Sequence, residues 1–157
     1  MGAPLSHINI GRSAIPDAEA APLQVAMPQA PERPQRPRTC LIVDDSRVVR
    51  KVSRPIIESL GYAVIEAENG EEALLRCQAD MPELIMLDWD MPVMTGIQFV
   101  AQLRALDAPR QAKVVFCTSR SETQDIFKGI EAGADEYVTK PFNAESLKAK
   151  LERIGAA

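Results

Sequence analysis

Reactive polar side chains follow four of the five short apolar runs in this sequence. An acidic pair, Asp44 and Asp45, follows the first run, and Asp88 follows the third. Thr118 ends the fourth run and Lys140 comes directly after the fifth. If these runs are parallel strands of one α/β sheet, their carboxyl ends meet at the edge where such sheets bind ligands. We therefore expect the five side chains to form one site.

The charges of these side chains indicate a bound cation. Two like charges about 4 Å apart, at an effective dielectric constant near 20, repel by roughly 4 kcal/mol, so three neighbouring carboxylates need a positive partner. A site that offers carboxylate oxygens and no Cys or His suits Mg²⁺ or Mn²⁺, which retain water and accept phosphate oxygens. Lys140 supplies a second positive charge.

This combination suits phosphoryl transfer, in which a protein mainly positions groups and neutralises charge. A carboxylate can serve as the nucleophile and become an aspartyl phosphate. Asp88 is the predicted phosphoacceptor, because it closes the most apolar run and precedes a loop that must turn back across the edge. Asp44 and Asp45 would then hold the metal ion, while Thr118 would donate its hydroxyl to the phosphoryl group and Lys140 would balance its charge.

The elements that position these residues alternate between strand-like and helix-like stretches. Short apolar runs without polar alternation are typical of a parallel sheet covered on both faces, and the amphipathic stretches between them predict crossover helices. The predicted strands are residues 40–43, 63–67, 84–87, 114–117 and 137–139, and the predicted helices are residues 46–60, 71–79, 96–105, 122–132 and 143–154.

The first helix carries its own boundary signals. Ser46 is a predicted N-cap, Gly61 stands where a left-handed residue ends a helix, and Pro55 predicts a kink. The buried face is predicted to be one apolar stripe of Val48, Val49, Val52, Ile56 and Leu60.

Four segments resemble, in order, the signature segments of response-regulator receiver domains of the CheY type. They are LIVDDS at 41–46, LDWDMPVMTG at 87–96, VVFCTS at 114–119 and KPF at 140–142. The intervals of 43, 30 and 22 residues from Asp45 to Asp88, Thr118 and Lys140 are also similar to those of that family. The resemblance implies a doubly wound, five-stranded parallel sheet of order 2-1-3-4-5, flanked by five helices.

The same resemblance implies roles for individual residues. Asp45 and Asp88 would bind Mg²⁺ directly with the backbone carbonyl of Asp90, and Asp44 would assist. Tyr137 falls at the position of the family's switch aromatic, which acts with Thr118, and the Lys140–Pro141 bond falls where a cis peptide is usual. Ser119 and Asp90 depart from the commonest pattern, at positions that are thought to tune the lifetime of the acyl phosphate.

The sequence divides into a tail and a domain. Residues 1–38 mix Pro, Ala and charged residues without periodicity, which predicts a disordered tail, and residues 39–157 form the predicted receiver domain. The tail ends in Arg33, Arg36 and Arg38, which suit an acidic or phosphate-bearing partner.

The formal charge of −4 and the absence of a basic face in the domain speak against DNA binding. Without a long apolar run, we expect a cytoplasmic protein with no membrane insertion, and its cysteines should be buried thiols.

These observations lead to one principal hypothesis and two alternatives. The principal one is a single-domain response regulator of a two-component or chemotaxis-type phosphorelay. A histidine kinase or phosphotransfer protein would phosphorylate it, and it would signal by contact with an output protein such as a motor component, kinase or phosphatase. It would catalyse only its own phosphoryl transfer and dephosphorylation, and so would not be an enzyme in the ordinary sense.

The first alternative is a phosphorylation-independent adaptor that binds an anionic second messenger through its arginine-rich tail. The second is a phosphatase of the haloacid-dehalogenase type, because Asp88-Trp89-Asp90 resembles the DxD motif of that family. The missing Gly-Thr after this motif, the early position of the Asp-Asp pair and the lack of a cap domain weigh against that alternative.

Overall fold

The computed structural model describes residues 36–119 and 123–157. Within it, Pro37–Ala157 form one compact unit. The predicted disordered tail lies outside the described residues except for its last three, and its disorder stays a prediction.

Five strands and five helices alternate along the described chain. The strands are β1 (Thr39–Val43), β2 (Ala63–Ala67), β3 (Leu84–Asp88), β4 (Lys113–Thr118) and β5 (Glu136–Thr139). The helices are α1 (Arg47–Glu58), α2 (Gly70–Ala79), α3 (Gly96–Arg104), α4 (Thr123–Ala132) and α5 (Ala144–Arg153). All strand pairs are parallel, in the order β2-β1-β3-β4-β5. This confirms the predicted doubly wound fold, with strand bounds that differ from the predictions by one residue at most.

The three central strands are buried on both faces, which explains why their sequences lack polar alternation. Alternate residues of each strand point to opposite faces and enter two separate core clusters. On β1, for example, Leu41 and Val43 belong to one cluster, whereas Cys40 and Ile42 belong to the other. The three cysteines are buried free thiols, as predicted.

The boundary signals of α1 are confirmed. The Ser46 side chain accepts a hydrogen bond from the backbone N–H of Val49 at 3.2 Å, and Gly61 after the helix has a φ of +96°. The helical assignment continues through Pro55.

The predicted apolar stripe on α1 is only partly buried: Ile56 and Leu60 pack against the core, but two of the valines do not. Val48 and Val52 are 71% and 60% exposed, whereas the buried positions are Arg50, Ser53 and Ile57. The reason is that a long arginine side chain can bury its aliphatic stem while its charged end finds partners in the interior. The helix is therefore rotated relative to its most apolar face, and a polar pair lies against the sheet.

Arg38 belongs to the folded unit. Its guanidinium lies 4.6 Å from the centre of the Tyr62 ring and donates a 2.6 Å hydrogen bond to the Tyr62 hydroxyl. Arg38 and Tyr62 also both donate to the backbone carbonyl of Ala156. These contacts join the chain before β1 to the segment after α5. Among the described helices, none is long and apolar enough to cross a membrane.

Candidate phosphoacceptor and metal site

The predicted site residues meet at the carboxyl edge of the sheet. Asp44 follows β1, Asp88 ends β3, Thr118 ends β4 and Lys140 follows β5. Carboxylate oxygens from Asp44, Asp45 and Asp88 all lie within 4.8 Å of one another. Asp44 and Thr118 are buried, Asp88 is partly buried and Asp45 is exposed, so the site opens to solvent on the Asp45 side.

Lys140 joins two of the carboxylates. Its Nζ lies 2.8 Å from Asp44 Oδ2 and 3.3 Å from Asp88 Oδ1. Burial alone would lower the pKa of Lys140, but the hydrogen bond to Asp44 and the charges of Asp44 and Asp88 outweigh it and raise this pKa. Lys140 therefore remains a cation next to Asp88. The peptide bond between Lys140 and Pro141 is cis, as predicted.

The carboxyl group of Asp88 lies in an environment that opposes its charge. Burial is the main cause and raises its pKa to about 6, the charge of Lys140 opposes this shift, and the nearby Asp44 and Asp45 add to it. Above that pH Asp88 is an ionised carboxylate with an oxygen available as a nucleophile.

The donor set fits a hard divalent cation. It consists of carboxylate oxygens from three residues, which suit Mg²⁺ or Mn²⁺, and their charge exceeds that of the single ammonium of Lys140. Both carboxylate oxygens of Asp44 already accept hydrogen bonds within the protein. Oδ1 accepts from the Ser46 backbone N–H at 2.9 Å, and Oδ2 accepts from Lys140. Asp45 and Asp88 are thus the better candidates for direct ligands. The backbone carbonyl of Asp90 stays a prediction.

Sequence reasoning missed Arg50, a buried residue of α1 that binds the loop after β1, where Asp44 and Asp45 lie. Its Nη1 donates to the backbone carbonyl of Asp44 at 2.7 Å, and its Nε donates to Glu66 at 3.0 Å. A carboxylate oxygen of Glu68 lies 3.7 Å from Arg50 Nη2. Arg50 thereby ties the loop after β1 to β2. An arginine six residues after Asp44, on the first helix, was the available signal.

Trp89 packs against Phe116 of β4. The sequence alone did not predict where this side chain packs. Its ring lies 4.7 Å from that of Phe116, centre to centre, at an angle of 48°. A Cβ added to Gly129 of α4 would come within 2.9 Å of Trp89, so the absence of a side chain on α4 makes room for this ring. The phosphoacceptor loop is therefore in contact with α4.

The predicted switch residues occupy β4 and β5. Thr118 is buried, and Tyr137 is partly buried, with its ring centre 4.3 Å from Lys150 Nζ. Lys150 also lies 3.8 Å from Glu136 Oε1. The ring is thus held from α5.

Of the three arginines predicted as tail contacts, Arg38 is the one that the structure places in the folded unit, and it lies away from this site. Arg33 lies outside the described residues and Arg36 is exposed. Arg38 contacts Tyr62, which precedes β2 and so lies at the opposite edge of the sheet.

The loop between β3 and α3 contains a strained residue. Val93 has a φ of +74°, a conformation that costs a β-branched residue about 1–2 kcal/mol, and its side chain is 73% exposed. Replacing Val93 with Asn, which tolerates this conformation, is expected to raise the free energy of unfolding by about 1 kcal/mol. Val48→Asn is the control, because Val48 is equally exposed but helical. Denaturant unfolding would contradict the strain argument if both variants changed stability equally.

Comparison with known proteins identifies the family of this chain. The family model of the response regulator receiver domain matches residues 40–152. The phosphate regulon transcriptional regulatory protein PhoB of Escherichia coli is 36% identical over 117 residues, which are 74% of this chain and 51% of PhoB. The probable transcriptional regulator ycf27 of Pyropia yezoensis is 37% identical over 115 residues, which are 73% of this chain and 46% of ycf27. The chain thus spans about half the length of these curated relatives.

Solved structures of response regulators have the same fold as this chain. The chemotaxis protein CheY4 of Vibrio cholerae superimposes with a TM-score of 0.70 at 32% identity, over 76% of this chain and 99% of CheY4. A putative response regulator from Chloroflexus aurantiacus gives a TM-score of 0.71 at 29% identity, over 78% of this chain and 100% of its own. With the acidic cluster and Lys140 at the predicted edge of the predicted fold, the chain belongs to the response regulator receiver domain family.

Proposed function

We propose that this protein accepts a phosphoryl group on Asp88 with the aid of Mg²⁺ or Mn²⁺ and signals through altered protein contacts. The observation that carries the proposal is the meeting of Asp88 with Asp44, Asp45 and Lys140 at one edge of the sheet. The phosphodonor would be a histidine kinase or phosphotransfer protein, and we propose that the reaction takes place in the cytoplasm.

Each side chain has a defined task in this reaction. An Asp88 carboxylate oxygen forms a bond to phosphorus while the bond from phosphorus to the donor breaks, and the donor leaves with that electron pair and takes up a proton. Lys140 balances the charge of the transferred group, and the Thr118 hydroxyl donates a hydrogen bond to one of its oxygens. Asp45 and Asp88 would hold the metal ion, which supplies positive charge next to the phosphoryl oxygens.

Signalling would then depend on Thr118 and Tyr137. A phosphoryl group adds charge and acceptor oxygens, which favour a Thr118 hydroxyl drawn towards Asp88. Tyr137 lies on the neighbouring strand, two positions before Thr139, the residue that pairs with Thr118, and can move into the vacated space. The surface of α4, β5 and α5 would change as a result. An output protein responds only so far as it binds one arrangement more tightly than the other.

The single-domain and chemotaxis assignments are part of this proposal and rest on different support. The match to CheY4 spans almost all of that protein, which supports output by protein contact. Relatives named as transcriptional regulators match over only about half of their length, so their output is not carried over. We also propose that the protein turns over no external substrate.

Intact mass spectrometry after incubation with acetyl phosphate tests the phosphoacceptor. The wild-type protein is expected to gain the mass of one phosphoryl group with Mg²⁺ and none with EDTA. Asp88→Ala should gain none under either condition, while the control Asp107→Ala, at an exposed loop position, should behave as the wild type. Gain by the Asp88→Ala variant, or none by the wild type, would refute the proposal and favour a phosphorylation-independent adaptor.

A further inference from the structure

A small cavity lies beneath the acidic site. The volume that the centre of a water-sized sphere can occupy in this cavity is about 10 Å³. Three polar side chains that line it, those of Asp44, Ser53 and Asp88, come from three different elements of the fold, and the thiol of Cys117 is a fourth lining group. The remaining lining is apolar, contributed by Ile42, Val43, Val49, Met86 and Phe142.

Ser53 is the unexplained member of this group. It is only 5% exposed, on the buried face of α1. Among residues 36–119 and 123–157, its hydroxyl has no hydrogen-bond partner, in contrast to Ser46 and Ser59 at the ends of the same helix. Buried hydroxyls are rarely left in this state, because an unsatisfied donor in the interior is unfavourable. The cavity that Ser53 lines is a place where a partner for this hydroxyl can lie.

The cavity has the size and chemistry of a site for one water molecule. A volume near 10–15 Å³ for the sphere centre, together with two to four polar partners, is about what one buried water needs. The carboxylates of Asp44 and Asp88 are acceptors, and the Ser53 hydroxyl is a donor. A dry cavity is expected only where the lining is apolar.

We propose that one resident water occupies this cavity and joins Ser53 to the carboxylates of the phosphoacceptor site. The Ser53 O–H donates to the water oxygen, and the two water hydrogens are donated to Asp44 and Asp88. Asp44 can accept this bond in addition to those from Ser46 and Lys140, because each carboxylate oxygen has two acceptor positions.

Ser53 is thereby a positioning residue for cation binding. Asp44 and Asp88 are held by Lys140 through one set of bonds and by the water through another, so neither carboxylate turns freely before the cation arrives. This second step rests on the proposed function, whereas the presence of the water does not. Groups that orient metal ligands from outside the coordination shell commonly alter metal affinity about 10- to 100-fold when removed.

Crystallography and stability test the water directly. A crystal structure of the metal-free wild-type protein is expected to show a water within about 3.2 Å of Ser53 Oγ. The matched pair Ser53→Thr and Ser53→Val differs only in the hydroxyl. With a resident water, the Thr variant should melt at the same temperature as the Val variant or higher. An empty cavity, or a Val variant that melts several degrees above the Thr variant, would overturn the proposal.

Metal binding tests the positioning role. Fluorescence of Trp89, the only tryptophan in the chain and the neighbour of Asp88, reports Mg²⁺ binding without any phosphodonor. Ser53→Ala is expected to weaken Mg²⁺ binding about tenfold, and Ser53→Thr should stay within about twofold of the wild type. Equal affinities for all three proteins would overturn the positioning role. Failure of the wild type to bind Mg²⁺ would overturn that role together with the proposed cofactor, while crystallography and melting still decide whether the water is present.

Discussion

Replacing Lys140 with methionine is expected to slow phosphorylation of Asp88 roughly 100-fold while tightening Mg²⁺ binding roughly tenfold. The two effects have opposite signs because Lys140 attracts the phosphoryl group but repels the metal ion. Towards the phosphoryl group it is an attractive partner, so its loss removes charge stabilisation from the transferred group. Towards the metal ion it is a competing cation, bound to Asp44 at 2.8 Å and to Asp88 at 3.3 Å.

The same substitution should make stability depend on the metal ion. Without Lys140, the buried carboxylate of Asp44 loses its ionic partner, and the free energy of unfolding in EDTA is expected to fall by about 2–3 kcal/mol at neutral pH. Because Mg²⁺ can replace the lost charge, its addition should restore most of this stability. The wild type should gain less from the same addition, since Lys140 already compensates its carboxylates.

Three measurements check this prediction: the rate of mass gain with acetyl phosphate, Mg²⁺ titration through Trp89 fluorescence, and thermal unfolding with EDTA or Mg²⁺. Lys148→Met, at an exposed position on α5, is the matched control and should resemble the wild type in all three. Weaker Mg²⁺ binding in Lys140→Met would show that Lys140 organises the metal site and does not compete with the ion.

The site was predictable because its residues stand at topologically equivalent positions. In a parallel sheet every strand runs the same way, so residues that end strands must share an edge even when they are far apart in sequence. Asp44 and Lys140 are 96 residues apart, yet their side chains are hydrogen-bonded. Recognising the strands was therefore enough to bring the acidic cluster and Lys140 together.

The rotation of α1 was not predictable from the same kind of reasoning. Hydrophobic periodicity selected Val48 and Val52 as buried, and both are exposed. What decides the rotation is a set of long-range partners, since Arg50 reaches Asp44 and Glu66, which belong to other elements. A periodicity argument assigns arginine to the solvent and takes no account of the buried carbonyl of Asp44 and the partly buried carboxylate of Glu66 that bind Arg50. Ser53 was overlooked for the same reason.

Two glycines at helix starts have surroundings that the sequence motifs and the hydrophobic periodicity did not predict. Gly70 and Gly96 are each buried and each is the first residue of a helix, after the N-caps Asn69 and Thr95. Their surroundings differ. A Cβ on Gly70 would lie 2.8 Å from the flexible side chain of Met94, whereas a Cβ on Gly96 would lie 2.7 Å from the backbone carbonyl oxygen of Asp88.

Gly96→Ala is therefore expected to lower the free energy of unfolding by about 2–3 kcal/mol, while Gly70→Ala should change it by less than about 1 kcal/mol. The backbone of Asp88 cannot move without displacing the phosphoacceptor, and the ring of Phe116 also lies 2.7 Å from the added Cβ. Met94 is buried, but the atom nearest to a Cβ on Gly70 is its Sδ, at the flexible end of a side chain that can change rotamer. Phosphorylation by acetyl phosphate should slow at least tenfold in Gly96→Ala and remain near normal in Gly70→Ala.

Denaturant unfolding together with the rate of mass gain separates these outcomes, because each variant adds one methyl group at the same helix position. If the two variants lose equal stability, the cost belongs to alanine at a helix start and not to contact with Asp88. If Gly96→Ala loses stability but phosphorylates normally, the loop relaxes without moving the carboxylate. Only a combined loss in Gly96→Ala alone supports the view that the close approach of α3 to the end of β3 holds Asp88 in place for phosphoryl transfer.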